Sequence, residues 1–438
     1  MFEQVYNKKR ITVDQALTMI QSGDNIVSAL AGAEPQKLLS RLHELPDGIR
    51  QVNVATCLPM GGYEYFMNPD HRDKVQMDGW FYSREQRKAH EMGTVSYIPN
   101  HLHLAGTNRL FHRKPNVFVG SASPMDKHGY VSLSLSATYE RDMMKHADLI
   151  ILEINPKLPR TFGDTIVHIS EIDHVIDVDY AIPELPTVEP TPMDQTIGRL
   201  IANQVEDGST IQLGIGGIPN AVAAALVEKK DLGIHTEMFT DGMVDLVKAG
   251  AVTGKCKTLY PGKMVATFAL GSKKLYDFLD DNPAVLILNG KWVNDPYVIG
   301  KNEKMVSINT TLEIDLTGQC CSESIGHRQF SGTGGQADTA IGAQISKGGK
   351  SFIALYSTAN VRMPGQETRV MKSKIVPRLT HGAAVTLSRN DVDFVVTEYG
   401  VASLRGTNVR ERAERLIAIA HPDFREQLME EAKELGLL

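Results

Sequence analysis

The chain has 438 residues, which is too long for one ordinary hydrophobic core and long enough for two domains of about 200 residues each. Apolar residues make up 42% and charged residues 22% of the sequence, and no uninterrupted apolar run approaches the roughly 20 residues that span a bilayer. The formal net charge is -6, and no basic block is longer than NKKR, which argues against a nucleic-acid partner and leaves a globular protein without a membrane span.

The first residues, MFEQVYNKKRITVDQALTMI, lack the order of basic, apolar and small residues that marks a signal peptide. We therefore expect a cytoplasmic protein whose mature chain begins at or near Met1. The four cysteines, at positions 57, 256, 320 and 321, form no CxxC pair and have no regular spacing. We expect them to be reduced thiols that are mostly packed.

Short β-branched runs, glycines and prolines alternate with helical periodicity along the whole chain, which predicts an α/β fold. In the first half, His101 and His103 raise the possibility of a metal site. No third ligand follows them at a useful spacing, so we interpret them as part of a surface strand.

A proline-rich segment, YAIPELPTVEPTPMDQTIG, interrupts this pattern near the middle of the chain. Four prolines fall between Pro183 and Pro192, a density that favours an extended connector over a helix or an inner strand. We predict a domain boundary close to residue 190, with domains at 1–188 and 189–438.

The sequences on the two sides of this boundary resemble each other in three places. In chain order, SGDNIVSALAGAEPQKLLSRL from Ser22 matches EDGSTIQLGIGGIPNAVAAAL from Glu206, MDKHGYVSLS from Met125 matches IDLTGQCCSE from Ile314, and HADLIILEIN matches DVDFVVTEYG, which pairs Glu153 with Glu398. Any one match could arise by chance between unrelated α/β strands. Three matches in the same order favour duplicated domains that have diverged by loop insertions.

The second half begins with a pattern that predicts a strand over 210–214, a loop over 215–218, a helix from Pro219 to Lys230 and a short strand over 234–239 that carries Glu237. Most such glutamates are solvated surface residues. The backbone N–H groups of the loop and the dipole of the helix would nevertheless face any anionic or polarised group placed at the loop.

The loop motif GIGGIP is first compared with a dinucleotide-binding fingerprint, because Glu237 follows at the distance expected for a ribose ligand. Pro219 occupies the place of the third glycine, which argues against a nicotinamide site. A phosphate-binding Walker A loop is also absent. SKGGKS would need its opening glycine at residue 344, which is Gln344.

A second glycine cluster, FSGTGGQAD, covers residues 330–338. It fits a mobile turn, because glycine accepts positive φ angles at little steric cost. It fits equally well a loop whose backbone N–H groups approach a ligand and stabilise a developing oxyanion. The sequence alone leaves both interpretations open, and it contains no GxSxG nucleophile elbow.

Several long motifs occur together and in order: QLGIGGIPNAV, GIHTEMFTDG, FSGTGGQAD, SKIVPRLTHGAAVTLSRNDVDFVVTEYGVASLRG and RAERLIAIAHPDFREQL. With them the chain resembles the acetyl-CoA hydrolase/transferase family over nearly its whole length. Within that family it is most similar to the bacterial 4-hydroxybutyrate and butyrate:acetate CoA-transferases.

This resemblance implies a class I CoA-transferase with two related open α/β domains of the NagB/RpiA/CoA-transferase-like type and an active site between them. It assigns the glutamate nucleophile to Glu237, the oxyanion donor to Gly335, an auxiliary glutamate to Glu398 and an active-site asparagine to Asn294. The resemblance also assigns contacts with the CoA substrate to the two glycine loops, at Gly214, Gly216, Gly217, Gly332, Gly334, Gly335 and Gln336.

The resemblance further implies CoA as a substrate rather than a cofactor, no metal and no ATP, short-chain carboxylates such as acetate as co-substrates, and a homodimer or larger homo-oligomer. The implied reaction is transfer of CoA between a short-chain acyl-CoA and acetate through a glutamyl-CoA thioester. Two alternatives stay open at this point. One is a short-chain acyl-CoA hydrolase, and the other is a non-catalytic CoA-binding protein.

Overall fold

A computed structural model describes residues 2–186, 188–362 and 368–438 of the chain. Its α-helices are α1 Phe2–Lys9, α2 Val13–Met19, α3 Gln36–Leu39, α4 Glu64–Met67, α5 Arg84–Glu91, α6 Ala105–His112, α7 Glu140–Met144, α8 Pro192–Ala202, α9 Gly217–Ala225, α10 Asp241–Lys248, α11 Lys273–Leu279, α12 Gly290–Val293, α13 Pro296–Ile299, α14 Gln336–Ile345, α15 Val409–Ala418 and α16 Pro422–Glu434. Single 3-10 turns occur at Ala31–Ala33, Leu42–Glu44, Pro69–His71, Leu102–Leu104, Ile169–Glu171 and Arg389–Asp391.

The strands are, in chain order, β1 Asn25–Ser28, β2 Val52–Thr56, β3 Val75–Gly79, β4 Val95–Tyr97, β5 Val117–Ala122, β6 Tyr130–Ser132, β7 Leu149–Ile154, β8 Phe162–Gly163, β9 Ile166–His168, β10 His174–Asp177, β11 Thr210–Leu213, β12 Gly233–Ile234, β13 Met238–Phe239, β14 Met264–Ala266, β15 Phe268–Ala269, β16 Val285–Ile287, β17 Met305–Thr310, β18 Glu313–Asp315, β19 Cys320–Cys321, β20 Ser324–Ile325, β21 Arg328–Gln329, β22 Lys350–Ala354, β23 Thr358–Arg362, β24 Arg369–Ser373, β25 Ile375–Val376, β26 Phe394–Thr397 and β27 Gly400–Ser403.

The chain forms two compact units that are not simply its two halves. The first unit contains residues 1–187, 236–241 and 263–294, and the second contains 188–235, 242–262 and 295–438. Glu237 and Asn294 therefore belong to the first unit. The division into domains at 1–188 and 189–438 stays a prediction.

The first unit contains a seven-stranded parallel sheet in the order β10-β7-β5-β1-β2-β3-β4. Its central strands are mostly apolar and are buried along their whole length, such as VFVGSA in β5. This pattern is typical of a parallel sheet that is covered on both faces. Ile26, Val54 and Val119 lie in the core of this unit.

The second unit contains a six-stranded sheet in the order β12-β11-β17-β22-β26-β27, which is parallel except for its antiparallel edge pair β26 and β27. Ile353, Val395 and Leu416 lie in its core. The unit begins with α8, where the Thr191 side chain accepts the N–H of Asp194 and Pro192 occupies the first turn. Such a capping box with an N-terminal proline starts a helix at low cost.

The first sequence match corresponds to equivalent strands in the two large sheets, and the second match corresponds to turns with the same hydrogen bonds. β1 lies between β5 and β2, just as β11 lies between β17 and β12. The two D-x-x-G turns also have the same hydrogen bonds. Asp126 accepts the N–H groups of residues 128 and 130 at 2.8 and 3.0 Å, and Asp315 accepts those of residues 317 and 319 at 2.9 and 3.0 Å. Both units therefore share the strand, the neighbouring strands and the turn that the sequence predicts.

The third match, between Glu153 and Glu398, is wrong. Glu153 lies on β7, two strands away from β1, whereas Glu398 follows β26, three strands away from β11. Strand order makes β22 the equivalent of β7. Two strands can therefore have the same local sequence pattern, an apolar run that ends in a glutamate, and still occupy different positions in their sheets.

Two smaller expectations differ in outcome. All four cysteines are free, and three of them are buried, which confirms the prediction of mostly packed thiols; Cys256 is exposed. The surface strand predicted at His101 and His103 is wrong, because residues 102–104 form a 3-10 turn. The two imidazole rings are stacked with their centroids 6.1 Å apart.

Candidate active site

The backbone of Glu237 is fixed by a short pair of strands in the first unit. The predicted continuous strand over 234–239 is wrong, since β12 ends at Ile234 and β13 begins at Met238. β13 pairs in parallel with β15, and the Glu237 carbonyl accepts the N–H groups of Thr267 at 2.9 Å and Phe268 at 3.2 Å. Because these bonds fix the residue just before the strand, the half-buried Glu237 side chain starts from a rigid position.

Asn294 contacts this carboxylate directly. Its Nδ2 group donates to Glu237 Oε2 at 2.8 Å, and its side chain is fully buried. Asn294 ends the short helix α12, and its own N–H donates to the Gly290 carbonyl at 2.9 Å. Asn294 Oδ1 has no hydrogen-bond partner among the residues that the structure describes. The predicted nucleophile and the predicted active-site asparagine are therefore neighbours, although 57 residues separate them in the chain.

The carboxylates of Glu237 and Glu140 act electrostatically on a buried cysteine near this site. Cys57 is buried directly after β2, and burial raises the pKa of its thiol well above the usual value. The charges of Glu237 and Glu140 raise that pKa further. A thiol with a raised pKa stays protonated and is a poor nucleophile. Of the two side chains, the Glu237 carboxylate is therefore the better nucleophile.

The glycine loop after β11 belongs to the second unit. The Gly214 N–H donates to the Ile308 carbonyl at 3.1 Å, so it is used in backbone pairing. Gly216 has a φ of 114° and caps α9, which begins at Gly217, two residues earlier than predicted, and ends at Ala225 rather than Lys230. A Cβ atom at residue 217 would lie 2.8 Å from a carboxylate oxygen of Asp194. Packing alone thus explains the glycine at 217, and contact of this loop with CoA stays a prediction.

The GTGG loop of the second unit leads into α14. Gly335 is the N-cap of this ten-residue helix, and Gly334 before it has a φ of 55°. The hydroxyl of Thr333 donates to the Glu323 carboxylate, with distances of 3.2 and 3.4 Å to its two oxygens. Gln336 donates through Nε2 to the Thr310 carbonyl at 2.8 Å. The loop is therefore anchored on both sides of its glycines, and the N–H groups of a helix N-terminus lie next to it.

Glu398 follows β26 in the second unit. Its carboxylate accepts the N–H of Ser357 at 3.0 Å and also the Ser357 hydroxyl. Ser357 is buried and lies three residues after the end of β22, the neighbour of β26 in the sheet. Glu398 thus lies beyond the carboxyl end of its strand, the region where parallel α/β sheets place ligands.

Comparison with known proteins identifies the family. The N-terminal domain of the acetyl-CoA hydrolase/transferase family matches residues 2–186, and the C-terminal domain of this family matches residues 271–432. Succinyl-CoA:cyclohexane-1-carboxylate CoA transferase of Geobacter metallireducens is 44% identical over 439 residues, covering 99% of this chain and 97% of that protein. The chain belongs to the acetyl-CoA hydrolase/transferase family.

Two further similar proteins are both named 4-hydroxybutyrate CoA-transferase. The 4-hydroxybutyrate coenzyme A transferase of Clostridium kluyveri is 43% identical over 433 residues, and the alignment covers 99% of this chain and 99% of that protein. The crystal structure of 4-hydroxybutyrate CoA-transferase from Porphyromonas gingivalis superposes with a TM-score of 0.82 at 35% identity, over 99% of this chain and all of that one. The predicted family and the predicted fold class of two α/β domains are both confirmed.

The hydrogen bonds also identify residues in this acetyl-CoA hydrolase/transferase that the sequence motifs did not indicate. Ser357 binds the Glu398 carboxylate, and Glu323 anchors the GTGG loop through Thr333. Ser357 could have been suspected, because it directly follows the apolar run FIALY, and a polar residue just beyond such a run in an α/β sheet lies near the ligand edge. Glu323 gives no such signal, since its partner is set by the path of the loop.

The described residues of this family member contain neither a metal-binding group nor a membrane-spanning helix. None of their histidines, cysteines, aspartates and glutamates form a group of three or more that could hold a metal ion. Within residues 2–186, 188–362 and 368–438, no helix combines the length and the apolar character that a membrane span needs.

Proposed function

We propose that this chain transfers CoA between a short-chain acyl-CoA, with 4-hydroxybutyryl-CoA or butyryl-CoA as the expected donors, and acetate. The observation that carries the proposal is the position of Glu237. Its backbone carbonyl is hydrogen-bonded at β15, and its carboxylate accepts a hydrogen bond at Oε2 from the buried Asn294. A positioned carboxylate in a chain of this family suits a covalent mechanism. The names of the relatives support the same activity.

The proposed reaction exchanges two acids through one covalent carrier. The Glu237 carboxylate attacks the thioester carbon, and the CoA thiolate leaves, which gives an acyl-glutamyl anhydride. The thiolate then attacks the glutamyl carbonyl, so that the acyl group leaves as a free carboxylate and a glutamyl-CoA thioester remains. Acetate reverses these steps. The energy of the thioester is retained throughout, so the proposal requires neither ATP nor a metal.

The other predicted residues have distinct proposed roles. The Gly335 N–H would donate to the oxyanion that forms in each attack on a thioester, where loss of one such donor typically costs about 2.7 to 4 kcal/mol of barrier. Glu398 would act as the auxiliary glutamate of the acid-binding region. The glycine loops at 214–217 and 332–336 would contact CoA. Homo-oligomeric assembly and a cytoplasmic location stay predictions.

Two alternatives would leave different products. In an acyl-CoA hydrolase, water resolves the glutamyl thioester, so free CoA accumulates in the absence of acetate. A non-catalytic CoA-binding protein would bind acyl-CoA and exchange nothing. Free CoA measured with and without acetate therefore separates a transferase from a hydrolase, and formation of acetyl-CoA separates a transferase from a non-catalytic binding protein.

The kinetic pattern tests the proposal. Exchange between acyl-CoA and acetate is expected to give parallel lines in double-reciprocal plots, because the enzyme holds CoA covalently between the two acids. The assay is repeated with propionyl-, butyryl-, 4-hydroxybutyryl- and succinyl-CoA as donors. Comparing their exchange rates also ranks the acyl groups. Intersecting lines would indicate a ternary complex and contradict the two-step mechanism.

The contact between Asn294 and Glu237 leads to a separate prediction. Asn294→Ala is expected to lower kcat roughly 10- to 100-fold, because a hydrogen bond to a charged group contributes about 1.5 to 3 kcal/mol. Asn302→Ala is the matched control, since Asn302 is also fully buried and binds the N–H of Leu259 rather than a predicted catalytic residue. Steady-state kinetics and thermal melting are measured for both. If both variants lose stability equally and kcat equally, Asn294 has no specific role.

A further inference from the structure

The carboxylate of Glu398 is connected to Lys374, a residue of the SKIVPRLTHG segment to which the family resemblance assigned no role. Ser357 binds Glu398 through its N–H and its hydroxyl. The carbonyl of the same serine accepts the N–H of Lys374 at 2.8 Å. Lys374 lies between β24 and β25, so a third segment of the second unit is joined through its backbone to the residue that holds Glu398.

The Lys374 ammonium group is itself held in place. Its Nζ donates to the Thr311 carbonyl at 3.3 Å and lies 5.7 Å from the centroid of the Tyr356 ring. That ring is fixed at its other end, because the Tyr356 hydroxyl donates to Asp194 Oδ1 at 2.6 Å. A cation over an aromatic face is attracted by the ring quadrupole, so the ammonium group has a preferred position there.

Two carboxylates act on this ammonium group, those of Glu398 and Glu313. Glu313 is already bound by the N–H of Thr380 at 2.8 Å and by the Thr380 hydroxyl at 2.7 Å. Burial lowers the pKa of Lys374 to about 8, and the two carboxylates oppose this change. The aromatic group facing it is Tyr356, whose pKa is raised, chiefly by burial, so the phenol is neutral in the same pH range.

We propose that Lys374 is a positioning residue for Glu398: its ammonium charge, held by Thr311 and Tyr356, keeps the Glu398 carboxylate in the orientation that Ser357 defines. This inference rests on the proposed function, in which Glu398 is the auxiliary glutamate. A buried ammonium is costly, and an apolar side chain of similar length would fill the same space at lower cost. A role that acts through charge gives a reason for a lysine at this position.

The pH dependence gives the first test. A lysine is charged below its pKa, so the ammonium is lost as the pH rises through about 8. The wild-type kcat/KM for acyl-CoA and acetate exchange is expected to fall above that pH. In Lys374→Arg the charge persists at every pH of the assay, so the fall should move upward by at least about one pH unit. Lys374→Met should show no such fall and a uniformly lower rate.

A double-mutant cycle gives the second test. Lys374→Met is expected to lower kcat roughly ten-fold in the wild type but less than about two-fold in a Glu398→Gln background, because coupled neighbours are non-additive. Lys372→Met is the matched control, since Lys372 is exposed on the neighbouring β24 and should behave as wild type. Equal losses in both backgrounds, or an unchanged pH profile in Lys374→Arg, would overturn the proposal.

The same cycle is also measured by urea unfolding at pH 7 and pH 9.5, which needs no activity. Coupling between residues 374 and 398 at pH 7 that disappears at pH 9.5 supports the proposal, and its absence at pH 7 overturns it. Wild-type protein that shows no exchange and no covalent thioester at Glu237 would refute the proposed function instead. The unfolding cycle then still decides whether Lys374 and Glu398 interact.

Discussion

Incubation with acyl-CoA alone, followed by acid quench and borohydride, will convert Glu237 to an alcohol. Borohydride reduces thioesters but leaves free carboxylates unchanged, so only a glutamate that carries CoA is converted. Cleavage after Lys230 and Lys248 releases DLGIHTEMFTDGMVDLVK, in which Glu237 is the only glutamate. Mass spectrometry of this peptide therefore assigns the modified residue, with only aspartates as competitors.

Two controls make this result specific. Excess acetate should suppress the conversion, because it discharges the glutamyl thioester. Glu237→Gln should lose both conversion and exchange while it still binds acyl-CoA, since an amide is a far poorer nucleophile. The amide oxygen at residue 237 can still accept the hydrogen bond of Asn294, so the variant keeps the local contact. Reduction at Glu398 would show that the wrong glutamate was assigned, and exchange without any modification would refute the covalent mechanism.

The local patterns of the sequence predicted the parts of the fold that depend on short stretches of chain. The apolar run and polar turn around β11 and the D-x-x-G turns occur where expected, because strand propensity and turn chemistry act over a few residues. The following helix is also present, although it begins two residues earlier and ends five residues earlier than predicted. The pairing of Glu153 with Glu398 failed for the opposite reason. Which strand lies beside which is decided by contacts far apart in the chain.

The assignment of Glu237 to a structural unit shows the same limit. In the linear sequence this residue follows the proline-rich connector, and the predicted boundary near residue 190 places it in the second domain. In the structure the chain passes from the second unit to the first after His235, in the interval between β12 and β13. The sequence shows one apolar segment there, and nothing in its pattern marks the interruption.

Long motifs of the sequence carry the predicted site residues Glu237 and Glu398, and the family resemblance assigns Asn294. They gave no sign that Asn294 would bind Glu237, or that Ser357, 41 residues before Glu398, would bind its carboxylate. Such partners are chosen by packing between elements, which only the folded chain defines.

Gly335→Ala is the second substitution with a large expected effect. Gly335 has a φ of -101°, which alanine adopts without backbone strain. Gly334 has a φ of 55°, where alanine is strained, and a change there would confuse stability with catalysis. Residue 335 is therefore the position at which the oxyanion role can be tested without disturbing the backbone.

The added methyl group at residue 335 is expected to hold the oxyanion away from the N–H, and kcat should fall by up to about 100-fold while KM changes little. An interaction that forms mainly in the transition state affects kcat more than KM. Gly106→Ala is the matched control, because Gly106 lies in the helix α6 and an added Cβ would meet its neighbours at 3.4 Å or more. If Gly335→Ala exchanges as fast as the control, FSGTGGQAD is a turn without a catalytic role. If KM rises while kcat is unchanged, the loop binds CoA equally in the ground state and the transition state, and the oxyanion donor must lie elsewhere.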